Sequence, residues 1–269
     1  MSDLILALDI GGTKIAAALV DSGGVLVHRE QLPTPHGDSV QVWETVDALV
    51  GNALAAAAGR RVRGVGAGCA GPIDVVAGTV SPLNVVAWRQ FPLVRRLAER
   101  TGLPVRLAGD VVCLALGEHW RGAGQGAQFL LGMVVSTGIG GGLVQGGAPY
   151  LGRTGNAGHV GHVVVDPDGP RCACGGQGCV EAVASGPHLA RWAHEHGWDA
   201  PPDADAKAPA AAVCDLDLVV VGGGVANAGE VLFGPLRAAL PRYAGLSFLR
   251  GPHSAPSTGS SVLPYSEIE

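Results

Sequence analysis

Leu4-Ile5-Leu6-Ala7-Leu8-Asp9-Ile10-Gly11-Gly12-Thr13-Lys14-Ile15-Ala16-Ala17-Ala18-Leu19-Val20 is the stretch on which the fold turns. Leu4 to Asp9 reads as a buried strand, Gly11-Gly12 as a tight turn, and Ile15 to Val20 as a second strand. Ser22-Gly23-Gly24 then turns into a third strand at Val25 to His28. A strand follows the glycines where a dinucleotide-binding loop would need a helix, and the Gly-x4-Gly-Lys-Ser/Thr spacing of a Walker loop is missing. Two readings of the turn stand side by side. It is an ordinary hairpin, or it receives phosphate oxygens through backbone N–H groups of Gly11 and Gly12, the Thr13 hydroxyl and Lys14. In the second reading Asp9 holds the water shell of Mg²⁺.

The pattern returns at mid-chain. Leu130 to Val135 reads as a strand, Ser136-Thr137-Gly138-Ile139-Gly140-Gly141-Gly142 as a polar glycine turn, and Gly141 to Val144 as the next strand. A repeated meander implies two related units of an α/β chain. Glycines cluster at 122, 124 and 126, and the expected units are residues 1–115 and 116–269. Between the meanders lie an expected helix over 40–58, a strand at Val62–Cys69, a helix at Leu93–Arg100, a short strand at Val105–Leu107 and a helix at Leu114–Trp120. A third glycine turn, Gly222-Gly223-Gly224, follows the apolar run Leu216–Val221 and precedes an expected helix, where an anion or nucleotide can sit. Residues 200–212 carry no periodicity, and a tail over 251–269 is rich in Ser, Pro and Gly and expected to be loose.

Composition narrows the function. Only 15% of residues are charged and the net charge is −5, which disfavours a nucleic-acid binder held by electrostatics. Aromatics at 4% leave little for a base-stacking channel. The first residues lack the basic and apolar regions of a signal peptide, and no run reaches ~18 apolar residues. A cytoplasmic, membrane-free protein is expected.

Three of six cysteines crowd into Cys172-x-Cys174-x4-Cys179, with His162 shortly before them. Three thiolates and an imidazole suit a tetrahedral structural zinc, in a loop spanning about 158–181. Three free thiols beside a surface His is the competing reading. Cys69, Cys113 and Cys214 sit in apolar runs and read as core residues. Glu181 follows the last of the three clustered cysteines, as a pocket residue or a solvated first-turn Glu, and His159 reads as a pocket residue. His119, His188, His194 and His196 read as surface residues. Asp110 follows the short strand; it is a helix cap, a base that takes a proton from a substrate hydroxyl, or both.

With these motifs in place, the chain resembles the ROK family, and most of all its ATP-dependent glucokinase branch. The residues that carry the resemblance are Asp9-Ile10-Gly11-Gly12-Thr13, Ala70-Gly71-Pro72, Ser136 to Gly142, Gly158-His159-Val160-Gly161-His162, the Cys-x-Cys-Gly-x-x-Gly-Cys run and Val221 to Gly224. The resemblance implies a two-lobed, actin-like (ribonuclease H-like) ATPase fold with sugar and ATP in the cleft. It implies Asp110 as the base toward the sugar 6-hydroxyl. Asp9, Gly11, Gly12, Thr13, Lys14, Thr137, Gly138 and Gly140 are the expected phosphate contacts, with Gly222, Gly223 and Gly224 near the adenosine. A homo-oligomer, dimer or tetramer, is the expected assembly.

Three departures stand out. The family's Asn-Asp-Ala-Asn is here Gly109-Asp110-Val111-Val112, and its usual Glu is His159. A neutral imidazole cannot accept from two hydroxyls as a carboxylate does. Asn84 and Glu181 are the sugar contacts that remain. The third departure is the expected loss of two helices, one at 200–212 and one at the chain's end, which would expose apolar surface. The expected activity is phosphorylation of glucose or a related hexose. A kinase for a modified sugar or cyclitol, and a non-catalytic sugar-sensing scaffold, are the alternatives.

Overall fold

A computed structural model describes residues 2–195, 218–222 and 262–264. Among these, the first meander forms as β1 (Leu4–Ile10), β2 (Lys14–Asp21) and β3 (Leu26–Pro33). Burial alternates along β1, with Leu4, Leu6, Leu8 and Ile10 inside, which follows from the two-residue period of a strand. β3 runs on through the polar residues Arg29 to Gln31, past the expected end at His28, because an edge strand needs no continuous apolar face. The ladder continues through β4 (Val62–Cys69) to β7 (Val105–Gly109), in the order β3-β2-β1-β4-β7. β1 pairs antiparallel with β2 and parallel with β4, and β4 pairs parallel with β7. Two short strands, β5 (Ile73–Asp74) and β6 (Thr79–Val80), form a separate hairpin.

Helix α1 (Ser39–Ala56) starts at a capping box, with the Asp38 carboxylate accepting from Val40 and Gln41 and the Gln41 side chain returning to the Asp38 N–H. Its buried face of Val42, Val46, Leu49, Val50 and Ala53 joins Leu4, Leu6, Ile10, Ile15 and Leu19 of the sheet in one core. α2 (Leu93–Thr101) adds Leu93 and Leu97. Each fully buried Leu or Ile there contributes about 1.5–3 kcal/mol.

α3 (Asp110–Arg121) begins four residues before the expected Leu114. The β-branched pair Val111-Val112 reads locally as strand, but Val112 is buried in this helix. The second meander follows as β8 (Phe129–Val135), β9 (Ile139–Gln145) and β10 (Ala148–Pro149). With β11 (Leu218–Gly222) and β12 (Val262–Pro264) it makes a second sheet, ordered β10-β9-β8-β11-β12. A single 3₁₀ turn (Val160–His162) and the helices α4 (Val180–Ala184) and α5 (Gly186–Glu195) complete the described elements.

The chain divides into two compact units. One is Met1–Cys113 with Leu151–Asn156, and the other is Leu114–Tyr150 with Ala157–Glu269. Residues 200–212, Gly223, Gly224, Cys214, His196 and the 251–261 and 265–269 parts of the expected loose tail lie outside the described residues, as does the helix expected after Gly224. The described part of that tail, Val262–Pro264, is not loose but pairs with β11, its apolar Val-Leu adding a strand to the sheet. The side chain of His194 is outside them too.

Candidate active site

In the first unit, parallel register aligns Ile10 with Cys69 and Cys69 with Gly109, so three strands end on one edge. Ligands of open α/β sheets gather at the carboxyl ends of the strands. Two of these ends lead directly into candidate site residues: β1 into the Gly11-Gly12-Thr13 turn, and β7 into Asp110. Gly68, the partner of Asp9, lies against the start of α3, where an added Cβ would meet Cys113 Sγ at 3.3 Å and Asp110 Cα at 3.6 Å.

The turn is tightly closed. Gly11 N–H donates to Lys14 O at 3.0 Å, so Gly11 shapes the turn with its N–H committed. Thr34, buried directly after β3, donates its hydroxyl to Gly11 O at 2.7 Å and its N–H to Thr13 O at 3.0 Å. Asn84 packs onto Gly12, since a Cβ there would lie 2.6 Å from Asn84 Cβ. The structure therefore brings Asn84, Asp9 and the turn together. Asp9 is surface-exposed, yet enough protein surrounds its carboxyl for desolvation to raise its pKa above the ordinary carboxylate value. The Asp110 carboxylate adds to that rise, and Lys14 opposes it. Two carboxylates that repel each other at a strand edge suit a bound divalent cation. Asp110 is half-buried and accepts from its neighbour Val111 N–H at 2.8 Å, which orients the carboxylate from within the helix's first turn.

In the second unit, the Ser136–Gly140 turn joins β8 to β9. Gly222 ends β11 in register with Val134, one strand away from that turn. Gly161 lies over Ile139, where an added Cβ would collide with the Ile139 carbonyl. Gly158, at φ +93, runs against Gly141, with only 2.9 Å between its ideal Cβ and Gly141 O. His159 is exposed, its ring 6.2 Å from that of His162. Glu181 is not a solvated helix-start residue: its Oε2 accepts the Ile139 N–H at 2.8 Å.

His162, Cys172, Cys174 and Cys179 hold one ligand atom each within 4.8 Å of all the others. Cys172 Sγ lies 3.7 Å from His162 Nδ1, and Cys174 Sγ 3.8 Å from Cys179 Sγ. Zn–S bonds of about 2.3 Å and a Zn–N bond of about 2.0 Å in a tetrahedron put sulfurs about 3.8 Å apart and a sulfur–nitrogen pair about 3.5 Å apart. The residues present fit that ion. The Gly176 N–H and the neighbouring thiols hold Cys174 below the usual thiol range, whereas burial and those same neighbours push Cys179 up to about 12. A divalent cation favours the thiolate form and would offset the burial that opposes it at Cys179.

Some expectations change. Cys69 is buried in the core, but Cys113 is exposed. His119 and His188 are half-buried rather than surface groups: His119 Nε2 meets Ala127 O at 3.0 Å, and His188 Nδ1 meets the buried Ser185 Oγ at 2.7 Å. Sequence reading missed Thr34, whose contact with Gly11 spans 23 residues. It also missed Asn156, whose buried Oδ1 has no hydrogen-bond partner among the described residues.

Two five-stranded sheets of one shared strand order, each with a glycine turn between its first two strands, define the actin-like ATPase class. Within it, the ROK family profile matches residues 5–208, and the chain belongs to the ROK family. It is 34% identical over 287 residues to the glucokinase of Thermotoga maritima, covering 91% of this chain and 89% of that one. It is 40% identical over 187 residues to the N-acetylmannosamine kinase of Shigella flexneri, covering 69% of this chain and 62% of that one. Among solved structures, a ROK glucokinase from Streptomyces griseus in complex with glucose and AMPPNP superposes with a TM-score of 0.74 at 31% identity, covering 93% of this chain and 92% of that one.

Proposed function

We propose that this chain is an ATP-dependent sugar kinase that phosphorylates the 6-hydroxyl of glucose or a related hexose. The observation that carries the reading is Asp110, placed by β7 on the same strand edge as the Asp9–Thr13 turn. Similarity to glucokinases along nearly the whole chain supports a kinase over a non-catalytic sensor.

Asp110 takes the proton of the sugar hydroxyl as that oxygen bonds to the γ-phosphorus, and the bond from phosphorus to the leaving ADP oxygen breaks. Gly12, Thr13, Lys14 and the turn shaped by Gly11 hold phosphate oxygens, as do Thr137, Gly138 and Gly140. Gly222, with Gly223 and Gly224, receives the adenosine. Asn84 and His159 contact the sugar, and so does the Glu181 carboxylate. Asp9 would hold the water shell of Mg²⁺ bound with ATP, an ion that would supply charge neutralisation at the transferring phosphate. His162, Cys172, Cys174 and Cys179 would hold zinc, which would supply structure to the loop rather than chemistry.

A cytoplasmic homo-oligomer, dimer or tetramer, accompanies this reading. No described helix is long and apolar enough to cross a membrane. The test is ADP release by zinc-loaded protein with Mg-ATP and glucose, mannose, N-acetylmannosamine, an amino glucose or a cyclitol. Turnover is expected on glucose or a related hexose. Nucleotide binding without turnover on any member of the panel would favour the sensor.

A further inference from the structure

We infer that Glu181 is a positioning residue for the nucleotide side of the site: its carboxylate fixes the phosphate turn of the second unit by accepting the Ile139 N–H. The inference deepens the kinase reading and rests on it.

Three hydrogen bonds define the turn. Gly186 N–H, at the start of α5, donates to Ser136 O at 2.9 Å. Ser136 N–H donates to Gly138 O at 2.9 Å, across the turn itself. Ile139 N–H donates to Glu181 Oε2 at 2.8 Å. Two of the three partners therefore come from outside the meander, from α4 and α5, which follow directly on Cys179. The contact is close as well as directional. A Cβ on Gly138 would sit 2.6 Å from Glu181 Oε2, so only a glycine there lets the carboxylate approach the Ile139 N–H this closely.

Holding that peptide has a chemical consequence. A phosphate turn works when its N–H groups converge on one oxygen, and a peptide free to rotate loses that convergence. Glu181 removes the Ile139 N–H from the set that can reach phosphate. It leaves Thr137, Gly138 and Gly140 as the turn's contacts and locks the plane from which they project. Glu181 stands two residues beyond the metal ligand Cys179. The segment that follows the cysteine cluster thus sets the nucleotide turn.

The experiment separates reach from charge. Mg-AMPPNP is titrated calorimetrically into zinc-loaded protein with no sugar present, so a sugar contact of Glu181 cannot contribute. Glu181→Gln keeps the length and an acceptor oxygen, and its dissociation constant is expected within about threefold of wild type. Glu181→Asp keeps the charge but falls a methylene short. Both it and Glu181→Ala are expected to bind at least about tenfold more weakly, the factor equal to about 1.4 kcal/mol. Ile139 amide exchange, read in the folded proteins, is expected to speed up in the Asp and Ala variants and to stay slow in the Gln variant. Zinc content and melting temperature establish that each variant is folded.

Unchanged nucleotide binding in all three variants, with only the sugar KM raised, would overturn the inference. Weak binding by the Gln variant with normal binding by the Asp variant would overturn it too, because the effect would then follow charge. A wild-type protein that binds no Mg-AMPPNP would bring down the kinase reading and this inference with it. Wild-type binding alongside unaffected variants would bring down this inference alone.

Discussion

The Asp9–Lys14 turn and the Ser136–Gly140 turn join the first two strands of sheets with the same strand order, yet they are held by different means. The first is fastened by its own meander. Thr34, directly after β3, holds Gly11 and Thr13, and the turn carries two charged side chains, Asp9 and Lys14. The second has no charged side chain of its own. Glu181 and Gly186, from the helices that follow Cys179, hydrogen-bond it from outside, and Gly161 packs closely on Ile139. The fifth strands differ as well: β7 is parallel to its neighbour and leads into Asp110, whereas β12 is antiparallel to β11. A repeated topology therefore does not carry a repeated division of labour. One unit builds Asp9 and Asp110 into its sheet edge, and the other rests its turn on the segment that follows the His162–Cys179 cluster.

The largest expected difference comes from Cys179→Ser. Loss of one ligand should abolish stoichiometric zinc and destabilise the second unit by more than about 3 kcal/mol. Calorimetry and metal analysis read both quantities. Hydrogen exchange should accelerate across residues 136–140 and stay unchanged across 10–14. Equal acceleration in both turns would erase the contrast. Thr34→Val makes the reciprocal test. It removes a buried hydroxyl from Gly11 O at nearly constant shape, at a cost of about 1 kcal/mol. Exchange should then quicken at 10–14 alone, with zinc content untouched.

The smallest effect sharpens the electrostatics of the first edge. Asp110 helps to raise the Asp9 pKa, so ionised Asp9 is penalised in the folded apo protein. That penalty is present above the raised pKa of Asp9 and vanishes as pH falls through it and Asp9 takes up its proton. Asp110→Asn should therefore raise the melting temperature at neutral pH, by an equivalent of less than about 1 kcal/mol because Asp9 is exposed. The gain should disappear toward acid pH. Melting curves of both proteins across that range check the sign.

Short-range chemistry made the two meanders legible. Alternating apolar residues and Gly turns marked β1, β2, β8 and β9 to within two residues, and β4 at Val62–Cys69 on both boundaries. The clustering of His162, Cys172, Cys174 and Cys179 was legible because their spacing is local. Support for the turns was not. Glu181 meets Ile139 across 42 residues and Thr34 meets Gly11 across 23, and no local pattern encodes either pairing. Glu181 was singled out for its place after Cys179, but its backbone partner depends on how α4 lies against β9. The start of α3 was hidden for another reason: Val111 and Val112 favour strand by local propensity, and packing within the helix overrides them.

The central claim is that this chain transfers phosphate to a sugar hydroxyl with Asp110 as base. The most direct measurement compares turnover and Mg-AMPPNP affinity in wild type and Asp110→Asn with saturating glucose. The account predicts that kcat falls by about 10²–10⁴ while nucleotide affinity stays within about threefold. Near-normal turnover in Asp110→Asn would contradict it.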